Sequence, residues 1–190
     1  MKKISIILVA LTVIICIFSC KQKQSQEEIH AAISKEAEKN IVAGAKAPEF
    51  TLKNLKDETV NLSDFRGKVV VLTFWAYGAQ SYEFEELIKL NKMIKGKDIQ
   101  IVTILMFDSQ KSSAEAFLKE IGFEQPTLID RTNGEYTEIT ELYGLTYHPT
   151  TFIIDKSGLI VKRFSLAKEI DNKKYLEISE NVKQLFNLAK

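Results

Sequence analysis

The chain has 190 residues, of which 45% are hydrophobic, and this is enough for one domain with a substantial core. The 26 Lys and Arg residues nearly balance the 25 Asp and Glu residues, the net charge is +1, and no run of five like charges occurs. Because nucleic-acid binding needs a concentrated basic surface, no DNA- or RNA-binding function is predicted.

The N-terminus has the form of a secretory signal. Two lysines precede the apolar run 4–18, which is too short to span a bilayer comfortably. Ile17-Phe18-Ser19-Cys20 resembles a bacterial lipobox, and this resemblance implies cleavage before Cys20 and acylation of that cysteine. The alternative is an uncleaved anchor or ordinary secretion. We therefore expect a lipoprotein signal peptide at 1–19 and membrane attachment through the lipid on Cys20.

The two cysteines of the chain both lie in this N-terminal region, at Cys16 and Cys20. Cleavage removes Cys16 with the signal peptide, and acylation turns the sulfur of Cys20 into a thioether. The mature protein is therefore expected to have neither a free thiol nor an internal disulfide.

The rest of the chain divides into a linker and one domain. Residues 20–43 are polar and charged, and they predict a partly helical tether with a capping box at Ser25 and Glu28. Residues 44–190 alternate strands and helices, which predicts an α/β domain with helices on both faces of a sheet. Apolar runs such as 69–72 are typical of central strands covered on both sides. Predicted strands cover 49–52, 59–61, 69–75, 99–106, 126–130, 150–155 and 159–165, and predicted helices cover 81–95, 112–121, 135–142 and 172–189.

Several motifs occur in the order and spacing of a known family. Ala47-Pro48-Glu49-Phe50-Thr51-Leu52 resembles its first strand, segments 60–68, 143–145 and 147–158 match later landmarks, and 69–82 (VVVLTFWAYGAQSY) resembles its active-site strand and turn. The chain thus resembles the thioredoxin-like superfamily, in particular the membrane-tethered bacterial thiol–disulfide oxidoreductases and the redoxin (alkyl hydroperoxide reductase-type) group. The resemblance implies a thioredoxin-like fold, with a central mixed sheet flanked by helices and an N-terminal β-hairpin extension.

The reaction centre departs from the family pattern. When Phe74, Trp75 and Ala76 are matched to the family's strand, Ala79 and Tyr82 fall at the positions of its two cysteines. A methyl group cannot ionise, and a phenol with a pKa of about 10 stays protonated at neutral pH, so neither provides a thiolate. No catalytic residue for thiol–disulfide exchange or thiol peroxidase chemistry is therefore expected at these remnant positions.

Pro149 is the strongest functional feature that remains. The resemblance implies that this proline is cis, faces the active-site turn, and follows a residue, His148, whose backbone pairs with an extended peptide. The peptide would lie in a groove between residues 78–82 and 148–149. In one interpretation, an aromatic rim surrounds this groove, formed by Trp75, Tyr77, Tyr82, Tyr147 and His148. In the other, Trp75 is a core residue and the tyrosines only fill the space left by the missing disulfide. His148 is either a pH-sensitive contact or a solvated loop residue. The candidate peptide-binding residues are Tyr77, Gly78, Gln80, Tyr82, Tyr147, His148 and Pro149.

Other candidate groups are weaker. Glu85 matches a family acid, and either stabilises the helix N-terminus or acts in acid–base chemistry. His30 and His148 are far apart and have no mature thiol beside them, so neither a metal site nor a cofactor is predicted. Met93 and Met106 are predicted to be core residues.

Two functions of different classes follow. The first is a lipid-anchored, non-catalytic module that binds a protein or peptide of the bacterial envelope. The second is a thiol–disulfide oxidoreductase or antioxidant enzyme that uses a partner's cysteine, or an unrelated reaction at Tyr82, Glu85 and His148. A third interpretation is a paralogue that has lost its function. Lys21 follows Cys20 where an inner-membrane retention signal would have Asp, so we expect the outer membrane, with the domain in the periplasm.

Overall fold

The computed structural model describes residues 41–78, 81–130, 137–145 and 148–165. It also describes five helical positions nearer the N-terminus, which are Lys21, Glu28, Ala32, Glu36 and Ala37. Several predictions lie outside the described residues: the signal peptide 1–19, Cys20, Ser25, His30, Ala79, Gln80, Tyr147 and the helix at 172–189. For Ser81, Tyr82, Glu83, Asp108, Glu138 and Ser165 the backbone alone is described.

The described chain alternates strands and helices as its sequence pattern predicts. The strands are β1 (Thr51–Asn54), β2 (Thr59–Asn61), β3 (Val69–Trp75), β4 (Ile99–Leu105), β5 (Thr127–Ile129), β6 (Thr150–Ile154) and β7 (Ile160–Ser165). The helices are α1 (Ser81–Ile94), α2 (Lys111–Glu120) and α3 (Glu138–Leu142), and there are short 3-10 turns at Leu62–Phe65 and Asp108–Gln110. Within these ranges, no helix has the length and apolar character needed to cross a bilayer.

The seven strands form one mixed sheet in the order β2-β1-β5-β4-β3-β6-β7. β3 and β5 run parallel to β4, whereas β6 runs antiparallel to both β3 and β7. β1 and β2 form the predicted antiparallel hairpin extension, and β1 also pairs with β5. Because β3, β4 and β5 are parallel, their carboxyl ends meet at one edge of the sheet, which we call the site edge. The opposite edge is the one at which these strands begin.

Apolar side chains cover both faces of the sheet. On one face, alternate β3 residues such as Val71 and Trp75 pack against α1 and α2 through Phe84 and Leu118. On the other face, Phe74 and its neighbours pack against the chain before β1, the 3-10 turn after β2, and α3 with the tyrosine that follows it. Each fully buried side chain of this size stabilises the fold by about 1.5–3 kcal/mol. The prediction of strands covered on both sides is thus confirmed.

Some predicted boundaries are wrong. β1 is Thr51–Asn54 rather than 49–52, because its pairing with β2 and β5 extends it past Leu52, while Phe50 turns into the core and its carbonyl accepts a hydrogen bond from the Leu62 N–H (3.2 Å). Met106 is buried, but Met93 lies on the outer side of α1 with 44% of its surface exposed, so its prediction as a core residue is wrong. The other described elements end within a few residues of their predictions.

Candidate functional site

The candidate site starts at the C-terminal end of β3, where Trp75 lies. Trp75 is 1% exposed and packs edge-on against Phe84, with ring centroids 4.7 Å apart and planes at 72°. Its carbonyl accepts a hydrogen bond from the Met106 N–H (2.9 Å), one residue beyond Leu105, the last paired residue of β4. Trp75 is therefore a core residue, and the interpretation that includes it in an exposed aromatic rim is wrong.

Tyr77 lies two residues farther along and is exposed. Its side chain is 40% exposed, and its ring lies edge-on to Phe117, at 6.2 Å between centroids and 71° between planes. Its N–H donates to the side-chain oxygen Oε1 of Gln110 (2.7 Å), and its carbonyl accepts from Gln110 Nε2 (3.4 Å). Gln110 was not predicted as a site residue, because a glutamine in the polar run 108–113 gives no signal of its own.

The turn into α1 depends on Gly78. Its φ of +120° is one that residues with a Cβ rarely adopt, and among the described residues, chain neighbours aside, no atom lies within 4 Å of where a Cβ would be. One turn into the helix, Glu85 is exposed to solvent. A hydrogen bond from Lys89 to Glu86 raises the pKa of Lys89, and the negative charge of Glu85 adds to this effect. Glu85 thus has the surroundings of a solvated helix residue.

The loop before β6 forms the second half of the site. The peptide bond between His148 and Pro149 is cis, as the resemblance implies, and Pro149 is buried. The next residue, Thr150, pairs with Phe74, so this loop lies beside the end of β3. His148 is an exposed residue, yet its ring lies edge-on to Phe107 (6.2 Å, 81°), and partial desolvation lowers its pKa below the usual 6.5. Its imidazole is therefore mostly neutral at pH 7.

The connection between β4 and α2, residues 106–110, touches both halves of the site. Met106 bonds to the end of β3, Phe107 contacts His148, and Gln110 holds Tyr77. The N–H of Gln110 donates to the carbonyl of Phe107 (3.1 Å), which closes a 3-10 turn. The candidate groove, between the turn 76–78 and the loop 148–149, therefore has a common support.

A buried carboxyl group lies farther along the site edge. Asp130 follows β5, is 3% exposed, and donates its N–H to the carbonyl of Leu105 (2.9 Å). Burial raises the pKa of this carboxyl from 3.8 to about 6, and the hydrogen bond from the Thr137 hydroxyl partly offsets the rise. Thr137 also caps α3, where its Oγ1 accepts from the Thr140 N–H (3.2 Å). Asp130 was missed in the sequence, although an acid directly after an apolar strand is a usable signal.

Comparison with known proteins identifies the relatives of this arrangement. The family model described as the AhpC/TSA family matches residues 43–163, which include all the site residues described above. The chain belongs to the AhpC/TSA family. It is 35% identical over 145 residues to the thiol-disulfide oxidoreductase ResA of Geobacillus thermodenitrificans, a match that covers 74% of this chain and 80% of that protein.

Two further proteins show the same thioredoxin-like relationship. The thioredoxin-like protein YneN of Bacillus subtilis is 33% identical over 127 residues, covering 65% of this chain and 71% of its own length. The solved structure of a thiol-disulfide oxidoreductase from Bacteroides fragilis is 26% identical and superposes with a TM-score of 0.62, covering 74% of this chain and 98% of that one. The thioredoxin-like fold and the relationship to thiol–disulfide oxidoreductases, both predicted from motifs, are confirmed.

In this AhpC/TSA-family chain, the structure brings together part of the predicted site. Tyr77 and Gly78 follow the end of β3, and His148 and Pro149 lie beside that end, directly before the start of β6. The side chain of Tyr82 and the whole of Ala79, Gln80 and Tyr147 lie outside the described residues. Among the described residues, no group of three or more His, Cys, Asp or Glu side chains is placed to hold a metal ion.

Proposed function

We propose that this protein is a lipid-anchored, non-catalytic member of the AhpC/TSA family that binds an extended protein or peptide segment in the bacterial envelope. The binding site is the candidate groove. One observation carries the proposal: exposed Tyr77 and His148 flank a jointly supported surface at the site edge, in a chain whose sequence has no cysteine after Cys20.

The missing sulfur argues against the reaction of the relatives. Thiol–disulfide exchange proceeds by attack of a thiolate on a disulfide sulfur, through a mixed disulfide. In this chain, Ala79 and Tyr82 occupy the positions of the family's two cysteines, and neither side chain can form a mixed disulfide. A thioredoxin-like surface without the nucleophile retains the capacity to bind a peptide, because binding relies on backbone pairing and side-chain contacts rather than on sulfur.

The location follows from the N-terminus. The lipobox-like sequence ending at Cys20 supports lipid attachment, and the Lys21 that follows supports transfer to the outer membrane with the domain in the periplasm. Mass spectrometry of the N-terminal peptide tests this part: a diacylated and N-acylated Cys20 is expected, and an unmodified Met1 or Cys20 contradicts it.

Affinity capture tests the binding function. The full-length protein in detergent is used to capture partners from envelope extracts of its own host, and captured proteins are quantified against Tyr77→Ala and His148→Ala. We expect both variants to lose most of the partner signal, because each removes a side chain that flanks the groove. Lys156→Ala, at the opposite edge, is the matched control and should capture normally. Equal capture by all four proteins would remove the groove from consideration.

A second candidate function has support from the comparisons. The relatives named above include thiol-disulfide oxidoreductases, so a redox reaction that borrows a partner's cysteine is the alternative. Insulin-reduction and peroxide-consumption assays, run with and without the captured partner protein, separate the two functions. We expect no turnover by the natural chain above a boiled control, with or without the partner, and measurable insulin reduction by the double variant Ala79→Cys/Tyr82→Cys. Turnover that requires the natural chain, alone or together with the partner, would favour the enzyme.

A further inference from the structure

We propose that Gln110 is a positioning residue that fixes Tyr77 as an aromatic anchor, and that the anchor binds an apolar or aromatic side chain of the partner. This inference rests on the proposed function and specifies the chemistry of the partner that the groove selects.

The side-chain amide of Gln110 bonds to the backbone of Tyr77 in the way that a neighbouring strand would. The paired register of β3 and β4 ends at Trp75 and Leu105, and the Met106 N–H donates to the Trp75 carbonyl just beyond it. Two residues beyond that bond, the N–H and the carbonyl of Tyr77 both bond to one side-chain amide, that of Gln110. In an antiparallel sheet, the N–H and C=O of one residue pair in this way with a single opposing residue. Gln110 therefore holds the backbone of Tyr77, two residues after the end of β3, in a strand-like arrangement.

The ring of Tyr77 is fixed separately from its backbone. It lies edge-on to Phe117, which in turn contacts Phe84 (5.3 Å, 87°) and Trp75 (6.3 Å, 48°) in the core. Edge-to-face aromatic contacts of this kind contribute beyond their buried area. The backbone and the ring of Tyr77 are thus both held by the segment that contains Gln110 and Phe117, while 40% of the side chain stays exposed. A ring fixed before binding loses little conformational entropy when a partner packs on it.

The surroundings of Tyr77 indicate what packs there. The described side chains that support the two halves of the groove are Phe107, Gln110, Phe117 and His148, and at pH 7 none of them carries a full charge. A charged partner side chain placed on this surface would lose hydration without gaining an ion-pair partner from these residues. An apolar or aromatic side chain gains contact area on the Tyr77 ring at no such cost.

Amide exchange tests the positioning role without any partner. Gln110→Met keeps the length of the side chain and removes both hydrogen bonds, whereas Gln110→Glu keeps an acceptor for the Tyr77 N–H. In full-length protein, we expect hydrogen–deuterium exchange at the Tyr77 amide to accelerate about fivefold in Gln110→Met and to change less than about twofold in Gln110→Glu. The Met106 amide is the internal control and should not change in either variant. Unchanged exchange at Tyr77 in Gln110→Met would overturn the positioning role.

Peptide selection tests the anchor. A phage-displayed library of random 12-residue peptides is selected on the full-length protein in detergent, and the enriched peptides are measured against four variants, Tyr77→Ala, Tyr77→Phe, Gln110→Met and His148→Ala. We expect peptides that depend on one aromatic or aliphatic residue, with affinity about tenfold lower for Tyr77→Ala, lowered to a smaller extent for Gln110→Met, and nearly unchanged for Tyr77→Phe.

The two proposals fail differently in this experiment. Peptides that lose affinity for His148→Ala but bind Tyr77→Ala and Gln110→Met as tightly as the natural chain overturn the anchor and leave the binding function intact. Peptides that depend on a charged residue also overturn the anchor. A selection that enriches no peptide contradicts the binding function and the anchor together, while the exchange experiment still decides whether Gln110 positions Tyr77.

Discussion

Asp130 and Asp155 both follow a buried strand, but they lie at opposite edges of the sheet and their carboxyl groups differ in pKa. Asp130, at the site edge, is buried, which raises its pKa to about 6. Asp155 follows β6 at the opposite edge, where partial desolvation acts to raise its pKa but hydrogen bonds from the Ser157 hydroxyl (2.7 Å) and from the N–H groups of Leu159 and Ser157 lower it overall. The ionised Asp130 carboxylate therefore destabilises the fold at neutral pH, whereas the Asp155 carboxylate stabilises the turn that follows β6.

The remaining contacts of the two edges differ in the same way. At the opposite edge, Arg66 pairs with Glu49 and lies over Gly158, and Lys156 pairs with Asp98 (3.0 Å). The site edge instead presents two exposed side chains: Tyr77, whose backbone bonds to the Gln110 amide, and His148, whose ring contacts Phe107. The opposite edge thus has ion pairs and hydrogen-bonded turns, whereas the site edge has a buried carboxyl group with a raised pKa beside two exposed rings.

The same substitution at one glycine of each edge should give the largest losses of stability. Gly158 has a φ of +90°, and a Cβ there would lie 2.6 Å from Arg66 Cζ, whereas Gly78 has a φ of +120° and open space. Both alanine variants have backbone strain, but Gly158→Ala also displaces the guanidinium group. We expect each variant to lower the free energy of unfolding by about 1–3 kcal/mol through this strain. Gly158→Ala should lose up to about 1 kcal/mol more, because the flexible, partly exposed Arg66 side chain can move aside but weakens its pairing with Glu49. Urea denaturation measures both losses. Equal losses would show that contacts at the opposite edge contribute little.

Replacement of the two carboxylates should change stability with opposite sign at pH 7. The folded pKa of Asp130 lies above its unfolded value of about 3.8, so the folded state holds the proton more tightly, and stability falls as pH rises from about 4 to above 6. Asp130→Asn removes the buried charge and keeps an acceptor for Thr137, so we expect a gain of about 2 kcal/mol at pH 7–8 and little gain at pH 4. Thermal unfolding at both pH values measures this.

Asp155→Asn is the matched control for that experiment. The folded pKa of Asp155 lies below its unfolded value, so its contribution is present at neutral pH and is lost only as pH falls below about 4. The asparagine variant should therefore be slightly less stable than the natural chain at pH 7. A gain from both substitutions, or a pH-independent gain from Asp130→Asn, would contradict the contrast between the two edges.

The smallest effect is expected at the ion pair between Lys156 and Asp98. Their side chains are 38% and 72% exposed, so water and salt screen the attraction. Lys156→Ala should lower the free energy of unfolding by less than about 1 kcal/mol, and the loss should shrink further in 1 M salt. Urea denaturation at low and high salt measures this loss. A larger or salt-insensitive loss would contradict the view that the pair is a screened surface contact.

Much of the fold could be predicted because apolar runs such as 69–75 and 99–105 encode buried strands directly. The start of β1 could not be, because it depends on pairing with β2 and β5 rather than on local composition. Met93 was misplaced because its type does not fix which face of α1 it occupies.

Within the site, the resemblance supplied Tyr77, His148 and Pro149. Gln110 could not be found from the sequence, because its role comes from hydrogen bonds to a residue that lies 33 positions away.

The chain enters the domain away from the groove. The N–H of Gly44 donates to the carbonyl of Ile160 (2.7 Å), and that of Ala47 donates to the carbonyl of Gly158 (3.0 Å), so the segment before β1 is fastened at the opposite edge. With Cys20 acylated as we propose, the tether from the membrane joins the domain at the opposite edge, away from Tyr77 and His148. Because residues 41–47 enter at that edge, they leave Tyr77 and His148 at the site edge uncovered.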